Sequence, residues 1–232
     1  MKAIFVTGTD TGVGKTIVCA HLAKYILEKG YSVITQKWVE TGCRNRFSRD
    51  VETHLKIMGK NKLSIRNYLS DVSPYTFKEA SSPHLASKME NKKINADKIK
   101  NSFRLLTRKF DFVIVEGIGG CLVPFDKSNF VINIVKDLNL PVVVVAHNKL
   151  GAINHTLLTL EALSARGINI LGVLFNNSPQ AQKMIIKDNP RIIKTLSKQE
   201  IFGCLPWVDK HDKFYESFSL IAGKIWEKML HE

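Results

Sequence analysis

Stretches that read as β-strands alternate along the chain with segments of helical periodicity. The strand-like stretches cover residues 2–7, 32–36, 110–117, 140–147, 168–175 and 201–207. Most of them are apolar throughout, which is typical of strands buried on both faces of a parallel sheet. The helical segments cover a stretch ending at Gly30 and residues 130–138, 151–166, 189–199 and 213–231. This alternation predicts an α/β fold with a doubly wound, mostly parallel sheet flanked by helices.

Length and composition fit one domain covering residues 1–232. A chain of 232 residues with 44% hydrophobic residues can bury a substantial core, and no linker, repeat or low-complexity segment interrupts it. Residues 40–95 follow no regular pattern, so we expect loops and short helices there.

The cysteines and the apolar runs bear on location. No cysteine lies in a C-x-x-C pair or near a His at metal-ligand spacing, which disfavours a disulfide framework or a structural zinc site. The four cysteines are Cys19, Cys43, Cys121 and Cys204. The first apolar run is too short for a signal peptide, and "PVVVVA" is far too short to span a membrane. We therefore expect a cytoplasmic protein without a membrane partner.

The net charge of +13 raises the hypothesis of a nucleic-acid partner. Almost half of that charge lies in residues 88–109, where eight Lys or Arg face two acidic residues, giving +6 within one predicted helical region. Phe103 is the only aromatic residue there, so no base-stacking surface accompanies the charge. A solvated helix face is the favoured interpretation, and no nucleic-acid partner is expected.

Residues 5–16, "FVTGTDTGVGKT", lead from a strand through a glycine-rich loop to a helix start. Glycines let backbone N–H groups approach an anion, and a helix N-terminus carries partial positive charge. The stretch predicts a phosphate-binding loop, although five residues instead of four separate Gly8 from Gly14. The extra residue suggests a sub-class of such loops.

Polar residues directly follow the predicted strands, as ligand sites in open α/β sheets require. They are Lys37, Glu116 with Gly117, Asn148 with Lys149, Asn176 with Asn177, and Pro206 with Trp207. Because their strands run parallel, we expect these residues to lie along one edge of the sheet.

Triphosphate chemistry needs cations against the phosphates and oxygen ligands for Mg²⁺. Lys15 would reach the β- and γ-phosphates of ATP, Thr16 would offer its hydroxyl to Mg²⁺, and Glu116 stands where a second acidic motif is expected. Lys37 suits a cation that supports the transferring phosphoryl group, or an edge lysine that reaches solvent. Asp50 suits a metal ligand or an ordinary helix cap.

Six segments together resemble the dethiobiotin synthetase family. They are "TGTDTGVGKT", "KWVETG", "SPYTFKEASSPH", "VEGIGG", "NKLGAINHTLLTLEAL" and "GCLPW", and they run in that family's order from residue 3 to about 208. The first segment alone marks only a broad P-loop NTPase-like superfamily, whereas the set is far more specific. The resemblance implies a homodimeric ATP-dependent ligase of biotin biosynthesis that joins 7,8-diaminopelargonic acid and CO₂ (or bicarbonate) with ATP and Mg²⁺.

The resemblance also implies a role for each matching position. Phosphate contacts fall on Thr11, Gly12, Val13, Gly14, Lys15, Thr16 and Ile17, with Lys15, Thr11 and Lys37 taking part in catalysis. The Mg²⁺ ligands would be Thr16, Asp50 and Glu116. The diamine would meet Thr41 and Gly119, and its carboxylate would meet Leu150, Gly151, Ala152, Ile153 and Asn154 of a second subunit, so that the diamine site lies at the subunit interface. The nucleobase pocket would hold Asn176, Pro206 and Trp207.

Four positions depart from the family pattern. Trp38 stands in place of a usual Pro and Glu40 in place of a small or neutral residue, and both are expected beside the diamine pocket. Ala80 replaces a usual Pro and Ile118 a usual Ala. A bulky Trp38 ring in the pocket would change its shape and the substrate preference.

Two other functions compete with this interpretation. One is a related synthetase acting on another amine or carboxylate, although members joined to a glutaminase domain are longer than this chain. The other is a partition-type ATPase switch that binds DNA or a membrane. Such switches carry a second Lys early in the phosphate loop, and "GTDTGVGK" has none before Lys15.

Overall fold

A computed structural model describes residues 2–45, 47–207 and 211–231. The strands are β1 Lys2–Gly8, β2 Val33–Lys37, β3 Val39–Glu40, β4 Tyr75–Thr76, β5 Phe112–Gly120, β6 Val142–Asn148, β7 Ile170–Asn177 and β8 Ile201–Leu205. The helices are α1 Lys15–Glu28, α2 Arg49–Ile57, α3 Leu69–Val72, α4 Pro83–Met89, α5 Ala96–Thr107, α6 Val131–Asp137, α7 Ala152–Ser164, α8 Lys183–Ser197 and α9 His211–Leu230. A 3₁₀ helix at Lys62–Tyr68 precedes α3.

Six strands form a parallel sheet in the order β2-β5-β1-β6-β7-β8, and β3 and β4 form a separate parallel pair. The predicted doubly wound α/β fold is therefore confirmed. The single-domain interpretation stays a prediction.

Alternate residues of the apolar strands enter two separate cores, one on each face of the sheet. Ile4, Ile114 and Val143 pack with residues of α1 and α9, such as Leu22 and Phe218. On the other face, strand residues such as Phe5, Val113 and Val144 pack with apolar residues of α5, α6, α7 and α8. Because both faces are covered, the strands have no polar face, which explains their continuous apolar runs.

The structure changes several predicted boundaries. The strand predicted at 201–207 ends at Leu205, and the helix predicted at 189–199 begins at Lys183. The basic segment 88–109 does not form one helix, because residues 88–89 end α4, residues 96–107 form α5, and the rest lie outside both helices. The division follows from Asn95, whose Oδ1 accepts hydrogen bonds from the backbone N–H groups of Asp97 and Lys98 and so begins a new helix. Residues 40–95 hold short helices and loops, as expected.

No helix within the described ranges is long and apolar enough to cross a bilayer.

Candidate active site

The loop between β1 and α1 has the conformation that its glycines permit. Gly12 and Gly14 have φ values of +74° and +98°, in the left-handed region that other residues rarely adopt. A Cβ on Gly14 would lie 2.2 Å from the Asn176 side-chain nitrogen, so the close approach of this side chain also requires glycine. The Asn176 amide donates to the Val13 carbonyl at 2.5 Å and ties the loop to β7.

Lys15 is buried beneath this loop. Its ammonium donates to the Asp10 carbonyl at 2.9 Å. Burial, followed by the charge of Lys37, lowers the pKa of Lys15 to about 8. An anion bound in the loop would favour the charged form of this amine.

Lys37, Asp50, His54 and Glu116 form a cluster at the carboxyl ends of β2 and β5, called here the ion-pair cluster, in which all but Asp50 are buried. The Lys37 ammonium lies 2.7 Å from Glu116 Oε1 and 2.7 Å from Asp50 Oδ2, and it donates to the Gly117 carbonyl at 2.9 Å. All three N–H bonds of the ammonium are therefore used. The contact between Lys37 and Glu116 follows from the sheet, in which these residues are direct partners on neighbouring strands.

Charge pairing decides the protonation of the two buried partners. Burial alone would raise the pKa of the Glu116 carboxyl, but Lys37 and the hydrogen bond from His54 hold it well below its usual range. Burial alone would lower the pKa of Lys37, but Glu116 and Asp50 raise it above its usual value. Counting one ammonium and two carboxylates, Lys37, Asp50 and Glu116 together carry a charge of −1.

The residues expected to bind Mg²⁺ are brought together at this cluster. The Thr16 hydroxyl donates to Glu116 Oε1 at 3.0 Å, and Asp50 reaches the same region through Lys37. One hydroxyl and two carboxylates form the hard oxygen set that Mg²⁺ prefers, and the net negative charge also suits a cation. These residues fit the metal.

A cavity of about 1160 Å³ lies over the loop and the ion-pair cluster. It is lined by most of the residues that sequence reasoning assigned to phosphate, metal and diamine: Thr11, Gly12, Gly14, Lys15, Thr16, Ile17, Lys37, Thr41, Asp50, Glu116 and Gly119. Val13 differs, because its side chain is buried in the core. The cavity lining also includes the departures Ala80 and Ile118.

Gly119 lies opposite the phosphate loop. Its φ is +57°, and a Cβ there would lie 2.9 Å from a Val123 methyl group and 3.6 Å from the Thr11 hydroxyl. The end of β5 thus lies close to the loop after β1, and a side chain at position 119 would disturb this packing.

Trp38 lies in the core and does not line this cavity. Its ring centroid is 5.0 Å from that of Phe5, its Nε1–H donates to Gln36 Oε1 at 2.9 Å, and the residue is 2% exposed. The expectation that the ring shapes the diamine pocket is therefore wrong. Lys37 instead contacts Glu116, so these two consecutive residues have different surroundings.

Glu40 lines the cavity but is bound to the start of α2. Its carboxylate accepts hydrogen bonds from the Ser48 hydroxyl and from the backbone N–H groups of Arg49 at 3.2 Å and Asp50 at 3.3 Å. A carboxylate at a helix N-terminus stabilises the helix. Glu40 therefore fixes the turn that presents Asp50 to Lys37.

Sequence reasoning missed His54. Its imidazole Nε2 lies 2.8 Å from Glu116 Oε2, and the side chain is fully buried. The sequence could have indicated His54 through its spacing from Asp50, because residues four apart lie on the same face of a helix.

The residues expected around the nucleobase lie at the same edge of the sheet, outside the cavity. Asn176 pairs with Leu205 in the register of β7 and β8, and Pro206 and Trp207 follow directly. Trp207 is 63% exposed. The three residues are thus close in the fold, and Asn176 links them to the phosphate loop.

The residues expected to meet the diamine carboxylate form the start of α7, and in this chain they are not part of the cavity. Gly151, with φ of +87°, precedes the helix, and Leu150 is 82% exposed. Asn154 is also exposed, Ile153 is half-buried and Ala152 is buried.

Asn148, Asn177 and Asn189 form a second cluster beneath this turn, called here the asparagine cluster, in which Asn148 and Asn189 are buried. Asn148 donates to Asn177 Oδ1 and to the Ile186 carbonyl, both at 2.9 Å. Asn189 donates to Asn148 Oδ1 at 2.9 Å and to the Lys149 carbonyl at 3.0 Å. These bonds hold the turn before α7 against α8.

Pro190 explains one of these bonds. A proline inside a helix leaves the carbonyl four residues earlier without its usual donor, and in α8 that carbonyl belongs to Ile186. Asn148 supplies the missing donor. This arrangement lets α8 continue through Pro190, which is why the helix begins earlier than the sequence predicted.

Comparison with known proteins assigns the family. A family model described as an AAA domain matches residues 2–213. The ATP-dependent dethiobiotin synthetase BioD 2 of Haemophilus influenzae is 43% identical over an alignment that covers 80% of this chain and 96% of that protein. The chain belongs to the dethiobiotin synthetase family. Another member, from Thermodesulfovibrio yellowstonii, is 36% identical with 92% of each chain covered.

Solved structures support the fold alone. The cell division ATPase MinD of Pyrococcus furiosus superposes with a TM-score of 0.61 at 16% identity, covering 98% of this chain and 99% of that one. A ParA family ATPase from Chlorobium tepidum gives a TM-score of 0.59 at 15% identity, covering 99% and 98%. This chain thus combines the sequence of the synthetase family with the P-loop fold that it shares with these ATPases.

Proposed function

We propose that this protein forms the ureido ring of dethiobiotin from 7,8-diaminopelargonic acid, CO₂ and ATP. One amine takes up CO₂ as a carbamate, and the γ-phosphoryl group of ATP passes to a carbamate oxygen. The second amine then attacks the carbonyl carbon of this mixed anhydride and releases phosphate, so ATP leaves as ADP and phosphate. The observation that carries the proposal is a synthetase-family sequence whose phosphate loop, Lys37 and two carboxylates converge on one cavity.

Lys15 and Lys37 both line the cavity and would both act on the phosphates. Lys15 lies under the loop and would hold the β- and γ-phosphates, with the Thr11 hydroxyl near the same groups. Lys37 would support charge on the phosphoryl group as it transfers. Its Asp50 contact is the one a phosphate would replace, because the Asp50 side chain is 28% exposed and the Glu116 side chain 1%.

Thr16, Asp50 and Glu116 would hold Mg²⁺. The bound ion would neutralise part of the charge on the β- and γ-phosphates. Lys37 keeps Glu116 ionised, and its Oε1, which contacts Lys37 and Thr16 here, is the atom that a cation would meet.

The diamine would extend from the cavity toward a second copy of this chain. Thr41 and Gly119 line the cavity, whereas the start of α7 lies outside it on the same chain. A helix N-terminus is a suitable site for a carboxylate. We therefore propose a homodimer in which residues 150–154 of one copy complete the diamine site of the other, and a nucleobase pocket at Asn176, Pro206 and Trp207. The expected cytoplasmic location belongs to the same proposal.

The partition-type switch is the less favoured function. Its support was the basic segment, which does not form one helix. The likeness to MinD and ParA proteins is at 16% identity or less, whereas the synthetase relatives reach 43%.

The deciding experiment is ADP release with ATP, Mg²⁺ and bicarbonate, with and without 7,8-diaminopelargonic acid, followed by mass spectrometry. We expect ADP release that depends on the diamine and a product of dethiobiotin's mass. An analogue with a single amine can form a carbamate but cannot close the ring, so it should give no product of that class. ATP binding without diamine-dependent turnover would overturn the proposed substrate and leave the phosphate site in place.

A further inference from the structure

His54 is a buried polar side chain whose place in the fold is set by α2. Asp50 and His54 are four residues apart on this helix, so both face the end of β5. Asp50 contacts Lys37, and His54 contacts Glu116. One helix thus contributes two side chains to the same cluster.

The contacts divide the two oxygens of the Glu116 carboxylate between different partners. Oε2 lies 2.8 Å from His54 Nε2. Oε1 accepts hydrogen bonds from the Thr16 hydroxyl at 3.0 Å and from the Lys37 ammonium at 2.7 Å. Oε1 is therefore the oxygen that faces the other expected ligands of the metal. The carboxylate plane is fixed because each of its oxygens has a partner.

His54 has little else to hold it. Its Nδ1 is buried and has no hydrogen-bond partner among residues 2–45, 47–207 and 211–231. Burying a polar ring with one unpartnered nitrogen carries a free-energy cost. An aliphatic side chain would fill the same space without that cost, so packing alone does not account for an imidazole here.

We propose that His54 is a positioning residue, which holds Glu116 so that Oε1 is presented to the metal ion. The inference rests on the proposed function, because that function places the ion at Thr16, Asp50 and Glu116. Hydrogen-bond partners of metal ligands orient the ligand, and their loss typically weakens metal affinity by about 10- to 100-fold. His54 would affect binding of the metal more than binding of the nucleotide.

Cys19 lies beside His54 and Glu116, with ligand atoms of the three residues within 4.8 Å of one another. Burial raises the pKa of the Cys19 thiol well above its usual value. Cys19 therefore packs at the cluster as a thiol.

The test measures binding of Mn²⁺, a probe for the oxygen site, by electron paramagnetic resonance in the presence of ADP. His54→Leu keeps the packing and removes the donor, and we expect its Kd for Mn²⁺ to rise about 10- to 100-fold. His54→Gln returns an amide N–H near the place of Nε2, so its Kd should stay within about threefold of the original chain. ADP affinity without metal should be unchanged in both. His231→Leu, at an exposed position after α9, is the matched control.

The outcomes separate the inference from the proposed function. Failure of the original chain to bind Mn²⁺ would overturn the metal site itself. Normal Mn²⁺ binding by both the original chain and His54→Leu would overturn only the positioning role. Should His54→Leu fail to fold, the pair His54→Gln and His54→Asn decides instead, because the shorter Asn cannot reach Glu116. Equal Mn²⁺ affinity in these two variants would contradict the proposal.

Discussion

The ion-pair cluster and the asparagine cluster occupy equivalent places in the two halves of the sheet. Both lie at the carboxyl ends of parallel strands, and both fasten a ligand-side segment to a helix. The first uses an ammonium, an imidazole and carboxylates, whereas the second uses side-chain amides and main-chain carbonyls.

The difference lies in what each cluster can exchange with a ligand. Charged groups can change partners when phosphate and a cation bind. Before binding, Lys37, Asp50 and Glu116 together carry a charge of −1, which a cation would offset. The asparagine cluster does not line the cavity, so a ligand bound there would not contact its amides. We infer that the first cluster takes part in the chemistry and the second holds geometry alone.

Removing the central charge should give the largest effect. Lys37→Ala deletes the cation proposed to support the transferring phosphoryl group, and loss of one such contact typically lowers kcat by about 10²- to 10³-fold. It also leaves Glu116 and Asp50 without their ammonium, so the pKa of Glu116 should rise. Turnover and circular dichroism would be measured on the same sample.

Lys109→Ala is the control for this change, because Lys109 is exposed and lies outside the cavity. Its kcat should equal that of the original chain. Turnover of Lys37→Ala within about threefold of normal, with the fold retained, would contradict the role assigned to Lys37.

Breaking the asparagine cluster should mainly lower stability. Asn189→Leu removes the donor to Asn148 Oδ1 and to the Lys149 carbonyl. The Lys149 carbonyl keeps the backbone N–H of Ala152 as a donor, whereas Asn148 Oδ1 is left without the Asn189 donor. One buried acceptor without a donor costs about 1–3 kcal/mol, so we expect the free energy of unfolding to fall by about that amount. Urea denaturation measures this loss, and ATP affinity should stay unchanged because Asn189 contacts neither the phosphate loop nor the ion-pair cluster.

Asn101→Leu makes the same exchange at an exposed position of α5. Its free energy of unfolding should change by less than about 0.5 kcal/mol. Equal stability of the two variants would show that the asparagine cluster is not a structural support.

Sequence reasoning recovers the parts of the site that follow from strand ends and local motifs. The phosphate loop is contained in one continuous stretch, and Lys37 and Glu116 follow apolar runs that become neighbouring strands. Parallel strands bring such residues together wherever they stand in the chain. The fold class and the cluster's two central residues were therefore predictable.

The rest depends on side-chain directions that no local pattern gives. His54 reaches Glu116 only because α2 is oriented by its own N-terminus, which Glu40 binds. Asn189 reaches Asn148 only because α8 continues through Pro190. The prediction put the Trp38 ring beside the diamine pocket. At the end of β2, however, Lys37 lines the cavity, whereas the next residue, Trp38, packs in the core.

Trp38 provides a further test of the difference between the two clusters, because it follows Lys37 in sequence and belongs to neither cluster. Trp38→Phe leaves Gln36 Oε1 without the indole donor and removes part of a packed ring, so the free energy of unfolding should fall by about 1–2 kcal/mol. The KM for 7,8-diaminopelargonic acid should be unchanged. Trp226→Phe in α9, on the opposite face of the sheet, is the matched control for the same exchange. A KM for 7,8-diaminopelargonic acid that changes in Trp38→Phe but not in Trp226→Phe would show that the Trp38 ring contributes to the diamine pocket.

The smallest effect is expected from exposed basic residues of segment 88–109, which contact neither cluster. Lys93, Arg108 and Lys109 are exposed, and replacing all three by Gln lowers the net charge from +13 to +10. Isolated surface charges contribute little to folding, so turnover should be unchanged and the free energy of unfolding should shift by less than about 0.5 kcal/mol. Neither the original chain nor the triple variant should be retained on duplex DNA at about 150 mM salt. Retention of the original chain that falls with added salt and is lost in the triple variant would instead assign these charges to phosphate contacts. The +6 of residues 88–109 would then be functional, although it lies in neither cluster.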